Sequence, residues 1–112
     1  MKRPWAFICA SEGATAKHLR SYCREVYLLG YLPICPKLQD GQYLLLEDPI
    51  ERSEYAAIVR DKLLRCPMLV VCSRNQDATT NAQIGLAQNY NRIVTPLDGL
   101  KKAVSEDDAL AS

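Results

Sequence analysis

Short apolar runs alternate along this chain with longer segments whose apolar residues recur every three or four positions. Trp5-Ala6-Phe7-Ile8-Cys9, between Pro4 and the turn-forming Ser11-Glu12-Gly13, predicts a buried first strand. Over 15–29 the apolar positions Ala16, Leu19, Cys23, Val26 and Tyr27 form one helical stripe, and Gly30 is a natural residue to end it. Tyr31-Leu32-Pro33-Ile34-Cys35 is a second strand. Pro33 cannot donate to a ladder, so that strand belongs at a sheet edge. The stretch 36–48 is irregular, broken by Pro36, Asp40-Gly41 and Asp48-Pro49. Asp48 then caps a helix with Pro49 at its first position, carrying Tyr55, Ile58, Val59, Leu63 and Cys66 and stopping before Pro67.

Met68-Leu69-Val70-Val71-Cys72 is the most apolar run and shows no alternation, as in a central strand covered on both faces. A polar loop over 73–77 leads to a third helix over about 79–90, then a last short strand over 92–95 closed by Pro96. The tail 97–112 reads as a short final helix and a frayed, flexible, solvated end. The order is βαβαβαβ, which forces parallel pairing through right-handed crossovers. The expected fold is α/β: a three-layer α/β/α sandwich, flavodoxin-like or Rossmann-like, whose sheet has about four parallel strands in the order 2-1-3-4. The 112 residues suit a single domain, 1–112.

Composition narrows the function. Fourteen Lys and Arg against thirteen Asp and Glu leave a net charge of +1, which supplies no field for a nucleic acid polymer or an anionic membrane. No apolar run reaches the ~18 residues of a membrane span. The apolar stretch after the basic start is too short for a signal peptide, so a cytoplasmic protein is expected. The five cysteines are odd in number and lack a close C-x-x-C pair, which argues against a disulfide framework and a structural zinc site. Cys9, Cys35 and Cys72 each end an apolar run. On neighbouring strands their sulfurs would meet at one sheet edge, with packing the favoured reading over a metal site. No metal and no cofactor are expected.

In an open parallel sheet, ligands bind beyond the carboxyl ends of the strands, where the strand order reverses. Here that point lies between strands 1 and 3, bounded by the loops 10–14 and 73–80 with 36–43 alongside. Around Ser11, Gly13 and Thr15 two readings compete: a loop wrapping a phosphate, or a helix cap with a glycine turn. A single glycine favours the cap. Asp77, Thr79, Thr80 and Asn81 are more potential caps than one helix needs, which favours a polar binding rim. His18, the only histidine, falls off the centre of the buried stripe and reads as a surface residue.

Several segments, in common order and spacing over 7–96, resemble the small relatives of the nucleoside 2-deoxyribosyltransferases, many of them uncharacterised bacterial or phage proteins. Phe7-Ile8-Cys9 precedes a small-residue loop, Tyr22-Cys23-Arg24 falls in helix 1, and Gly30-Tyr31-Leu32-Pro33-Ile34-Cys35-Pro36 is similar to the family's "GYIPIAP" strand. Asp48-Pro49-Ile50-Glu51-Arg52 resembles its "DPEER" helix start, and Leu64-Arg65-Cys66 its "KRCD". The segment 77–87, DATTNAQIGLA, resembles "D-x-G-T-x-x-E-L-G-Y-A".

The resemblance implies a domain that recognises a nucleoside or nucleotide. In the family the glutamate of that last segment attacks the anomeric carbon of a deoxynucleoside. Here that position is Gln83, a neutral amide and a poor oxygen nucleophile; the segment's glycine and the "GPY" or "SPY" turn after strand 1 are also replaced. The expectation is therefore recognition without glycosidic cleavage. The ligand-binding residues would be Ser11, Gly13, Asp77, Thr79, Thr80 and Gln83, with Asp77 matching an aspartate that contacts the base in the transferases. A first alternative keeps an active N-glycosidase or deoxyribosyltransferase with a relocated carboxylate, Glu12 or Asp77. A second makes the chain a protein-binding regulatory or anti-defence factor of a mobile element. A protein partner and a homo-oligomer are both left open.

Overall fold

The computed structural model describes residues 2–111, with side chains through Glu106. Four strands, β1 (Trp5–Cys9), β2 (Leu32–Ile34), β3 (Met68–Val71) and β4 (Ile93–Pro96), form one sheet in the order β2-β1-β3-β4. Every pairing is parallel, with Phe7 opposite Ile34 and Leu69, and Val70 opposite Thr95. The strand with Pro33 is at an edge and the 68–71 strand is inside, as the residues require.

Helices α1 (Ala16–Leu28) and α4 (Leu97–Ala111) cover one face of the sheet; α2 (Pro49–Arg65) and α3 (Ala78–Asn89) cover the other. Ala6, Ile8 and Val70 point toward Leu19, Val26, Leu97 and Leu100. Phe7, Cys9, Leu69 and Val71 point toward Leu63 and Ala87. Burial on both faces explains why the strands lack alternation.

Local chemistry sets the element ends. Thr15 caps α1 by accepting from the His18 N–H at 3.2 Å, and Gly30 follows the helix at φ +103°, where glycine is unstrained. Asp48 caps α2 through the Ile50 N–H at 2.8 Å, with Pro49 at the first position. Asn91, at φ 58°, ends α3 by letting the Arg92 N–H reach the Ala87 carbonyl at 2.8 Å.

Residues 36–48 hold two short 3-10 turns, Pro36–Leu38 and Asp40–Gln42. They are anchored by the buried Asp40, which accepts from Lys62 Nζ at 2.6 Å and from the Tyr43 hydroxyl at 2.8 Å. Burial pushes the Asp40 carboxyl up, but the bonds from Lys62 and Tyr43 outweigh it and hold the group below its ordinary value.

The tail departs from expectation. α4 is a fifteen-residue helix rather than a short one, because Leu97 and Leu100 are buried and Val104 packs beside them on the sheet. The frayed, flexible end was expected within the tail 97–112 without closer bounds, and the last part of that tail, 107–112, lies outside the residues whose side chains are described. No helix among the described residues is long and apolar enough to cross a membrane.

Candidate functional site

The strand order reverses between β1 and β3, and the loops following these two strands meet there. Two donors from the first loop tie it to the second. The Ser11 N–H donates to Ser73 Oγ at 2.9 Å, and the Glu12 N–H donates to Asp77 Oδ2 at 2.8 Å. Lys37, just past β2, places its ammonium on the Glu12 and Ala14 carbonyls at 2.9 and 3.3 Å. The rim is thus braced from both sides.

Two cavities open at this end of the sheet, and Ser11 lines both. The smaller, about 110 Å³, lies over the ends of β1 and β2 and is lined by Ser11, Glu12, Cys35, Tyr55, Thr79 and Gln83, among others. Thr79 and Gln83 are four apart on α3 and therefore share a face. Burial pushes the Tyr55 phenol up to about 12, helped by the negative potential of Cys35, Glu12 and Asp40 nearby. A water takes about 30 Å³, so this space suits a few waters or one small group, not a whole nucleoside.

The larger crevice, about 870 Å³, lies over the loops that follow β1 and β3 and the end of β4, between α1 and α4. Its volume falls in the range of ligand pockets, ~300–1,000 Å³. His18 and Tyr22 of α1, Ser73 to Gln76 of the β3 loop, and Asp98 and Lys101 of α4 supply polar groups. Lys101 bridges to Glu25 at 2.7 Å, tying the two helices and raising the lysine's pKa, chiefly through that hydrogen bond. Gly13 opens onto this crevice: a Cβ there would meet nothing within 4 Å.

The structure divides the expected site residues. Ser11, Glu12, Thr79 and Gln83 converge on the small cavity, and Ser11 and Gly13 face the large one. Asp77 lines neither cavity. It is the N-cap of α3, with Oδ1 accepting from the Thr80 N–H at 2.9 Å while Oδ2 holds Glu12. These backbone bonds, from Thr80 and then Glu12, hold its carboxyl below the ordinary range. Thr80 is fully buried, lines neither cavity, and its Oγ1 has no hydrogen-bond partner. His18 is exposed, at the rim of the large crevice.

The thiol grouping also differs. Cys9 faces α2 and α3, where its thiol donates to the Thr80 carbonyl at 3.9 Å. Cys35 and Cys72 face α1, and the third sulfur on that side is Cys23 of the helix. Strand parity explains this: Cys9 follows Ile8 by one and so points to the other face of the sheet. Among the described residues, no three His, Cys, Asp or Glu side chains converge to hold a metal ion.

The loops 10–14 and 73–80 that the sequence points to do border the large crevice, but the sequence reading does not foresee the part α4 plays in it. The outer wall of the crevice is α4, and the apolar spacing of Leu97, Leu100 and Val104 was the signal for that helix. No family model matches the chain, and no curated protein matches it.

Proposed function

We propose that this chain recognises a nucleoside or nucleotide at the carboxyl end of its sheet and does not cleave the glycosidic bond. The observation that carries the reading is the large crevice at the switch point, about 870 Å³ and lined by hydroxyl, amide and charged groups. The motif resemblance supplies the ligand class. The absence of turnover rests on Gln83, whose amide lines the small cavity where the resembling enzymes carry a carboxylate.

Thermal unfolding of the full chain in the presence of nucleosides, nucleotides and dinucleotides at millimolar concentration tests the binding. A ligand at 100 times its Kd adds about 2.7 kcal/mol of stability and a clear rise in melting temperature. If none of these compounds shifts the midpoint, the ligand reading fails and a protein partner becomes the better account.

A second reading keeps the chemistry with Glu12, because Glu12 lines the same small cavity as Gln83. Asp77 is the weaker candidate, since both its oxygens accept backbone hydrogens. Chromatographic release of free base from deoxynucleosides and their monophosphates separates the two readings. Turnover on the order of 1 per second, abolished in Glu12→Gln, favours the enzyme.

A further inference from the structure

The end of the sheet opposite the crevice carries a concave surface of its own. Arg3, Pro4, Trp5, Arg65 and Pro67 line a groove of about 350 Å³, within the ~300–1,000 Å³ of small-molecule sites. Trp5, the only tryptophan, opens β1 and is 38% exposed. It shares its parity with Phe7 and so faces the side of the sheet that α2 covers. Ala6 pairs with Met68, which sets Trp5 beside Pro67 one step earlier in the same register. Both prolines sit on fixed backbone. The Pro4 carbonyl accepts from the Leu32 N–H at 2.9 Å and the Pro67 carbonyl from the Ile93 N–H at 3.0 Å, continuing the sheet bonding past the first strand residues.

We propose that this groove binds a small aromatic anion, a planar ring bearing a carboxylate or phosphate, because an exposed indole lies there between two guanidinium groups. The ring packs on Trp5 and the two prolines, and Arg3 and Arg65 take the anionic group. The site shares no lining residue with the crevice at the carboxyl end, so it is independent of the nucleoside reading.

Arg3 is held in place without being neutralised. Its Nη1 donates to the Tyr27 carbonyl at 2.6 Å and to the Tyr31 carbonyl at 3.4 Å, and its guanidinium lies over the Tyr27 ring at 4.0 Å. Arg24 comes within 5.8 Å of the same ring, which adds to the positive field. A guanidinium carries five N–H donors in a fixed fork, and both bonds engage Nη1. Among the described residues Nε and Nη2 of Arg3 have no partner, and carbonyl dipoles do not cancel a full charge. Arg65 contacts Asp61 Oδ2 at 3.2 Å, one turn back on α2. Both side chains of that pair are more than half exposed, so the contact is weak and the guanidinium can turn to an anion. No carboxylate among the described residues lines the groove. A cationic ring would therefore meet only like charge, and an anion without a ring would leave the indole uncovered.

Tryptophan emission reports on this groove directly, because Trp5 is the one indole in the chain. The full chain at neutral pH is titrated with phenyl phosphate, benzoate, benzylamine and inorganic phosphate. Phenyl phosphate and benzoate should change the emission saturably, with Kd values in the millimolar range that suits ligands of about ten heavy atoms. Benzylamine and inorganic phosphate should not. Arg65→Gln, at an exposed position, should raise both Kd values about tenfold, the loss expected for one charged hydrogen bond. Trp5→Leu, followed by calorimetry, should lose the binding. Arg3→Gln should act as Arg65→Gln does; because Arg3 also holds the end of α1, Arg65→Gln decides if the Arg3 variant does not fold. Emission that changes without saturating, benzylamine or inorganic phosphate binding as tightly as phenyl phosphate, or an Arg65→Gln Kd equal to wild type would overturn the assignment.

Discussion

The Glu12 backbone N–H donates to Asp77 Oδ2 at 2.8 Å, so a residue just past β1 is fixed to the residue that caps α3. The other oxygen of the same carboxylate holds the Thr80 N–H at 2.9 Å. With the Ser11 to Ser73 bond at 2.9 Å, the two loops that bracket the strand reversal are joined at two points. Part of the polar density at this rim therefore serves the fold, and the residues left to meet a ligand are Ser11, Gly13, Thr79 and Gln83.

Asp77→Ala should lower the melting temperature of the unliganded protein by a few degrees, the size of a lost helix cap in a domain this small. A ligand contact alone would leave the unliganded protein unchanged. The carboxyl is held below its ordinary 3.8, so its stabilisation is present above that pH and is lost as pH falls through the folded value. Urea unfolding at neutral pH and again below pH 3.8 checks both statements. An Asp77→Ala midpoint equal to wild type at neutral pH would return Asp77 to the list of candidate ligand contacts.

The strand order was legible because it rests on strong local signals. Pro33 excludes an interior strand, 68–72 is apolar without alternation, and Asp48-Pro49 and Gly30 mark helix ends by backbone chemistry. The site was legible only in part. Thr80, Ile84 and Ala87 are spaced four and three apart and pack toward the sheet, so Thr80 belongs to the inward stripe of α3 while Thr79 and Gln83 belong to its cavity face. Composition groups Thr79 with Thr80; the 100° step between them separates their roles. The thiols were grouped wrongly because the face of a strand residue follows from parity, and α1 adds a sulfur that strand ends cannot reveal. α4 runs longer than its charged residues Lys101, Lys102 and Glu106 suggest, because Leu97, Leu100 and Val104 recur three and four apart and pack on the sheet.

Gly13→Ala separates a ligand role from a turn role. Gly13 does not have a positive φ, and an added Cβ meets nothing within 4 Å. The substitution should therefore leave the unliganded protein as stable as wild type, or raise its stability by about 0.4–1 kcal/mol by restricting the unfolded chain. The added methyl would project into the large crevice and weaken any ligand whose phosphate approaches that backbone. Titration of a nucleotide found by thermal shift should give a higher Kd with the unliganded midpoint unchanged or raised. An unchanged Kd would place the ligand away from the β1 loop.

The buried thiols give the fold an alkaline limit. Burial raises Cys9, Cys66 and Cys72 from an ordinary 9.0 to about 12, with Asp77 adding to the shift at Cys9. Above pH 9 the unfolded chain releases these protons while the folded chain keeps them. The native state then binds more protons, and stability must fall as pH rises from 9 toward 12. Cys35 runs the other way. Its folded value of about 7 means that the native state gives up a proton first, so its contribution grows between pH 7 and 9. Tyr55, moved from 10.0 to about 12, steepens the decline above pH 10. The melting temperature of the reduced protein should therefore rise slightly from pH 7 to 9 and fall steeply beyond. Cys66→Ala isolates one thiol. It lowers the midpoint at neutral pH by removing buried volume and the 3.2 Å bond from the thiol to the Lys62 carbonyl, but it should flatten the decline above pH 9. Parallel alkaline curves for wild type and Cys66→Ala would show that the thiol does not titrate on unfolding, and the proton linkage assigned to it would be wrong.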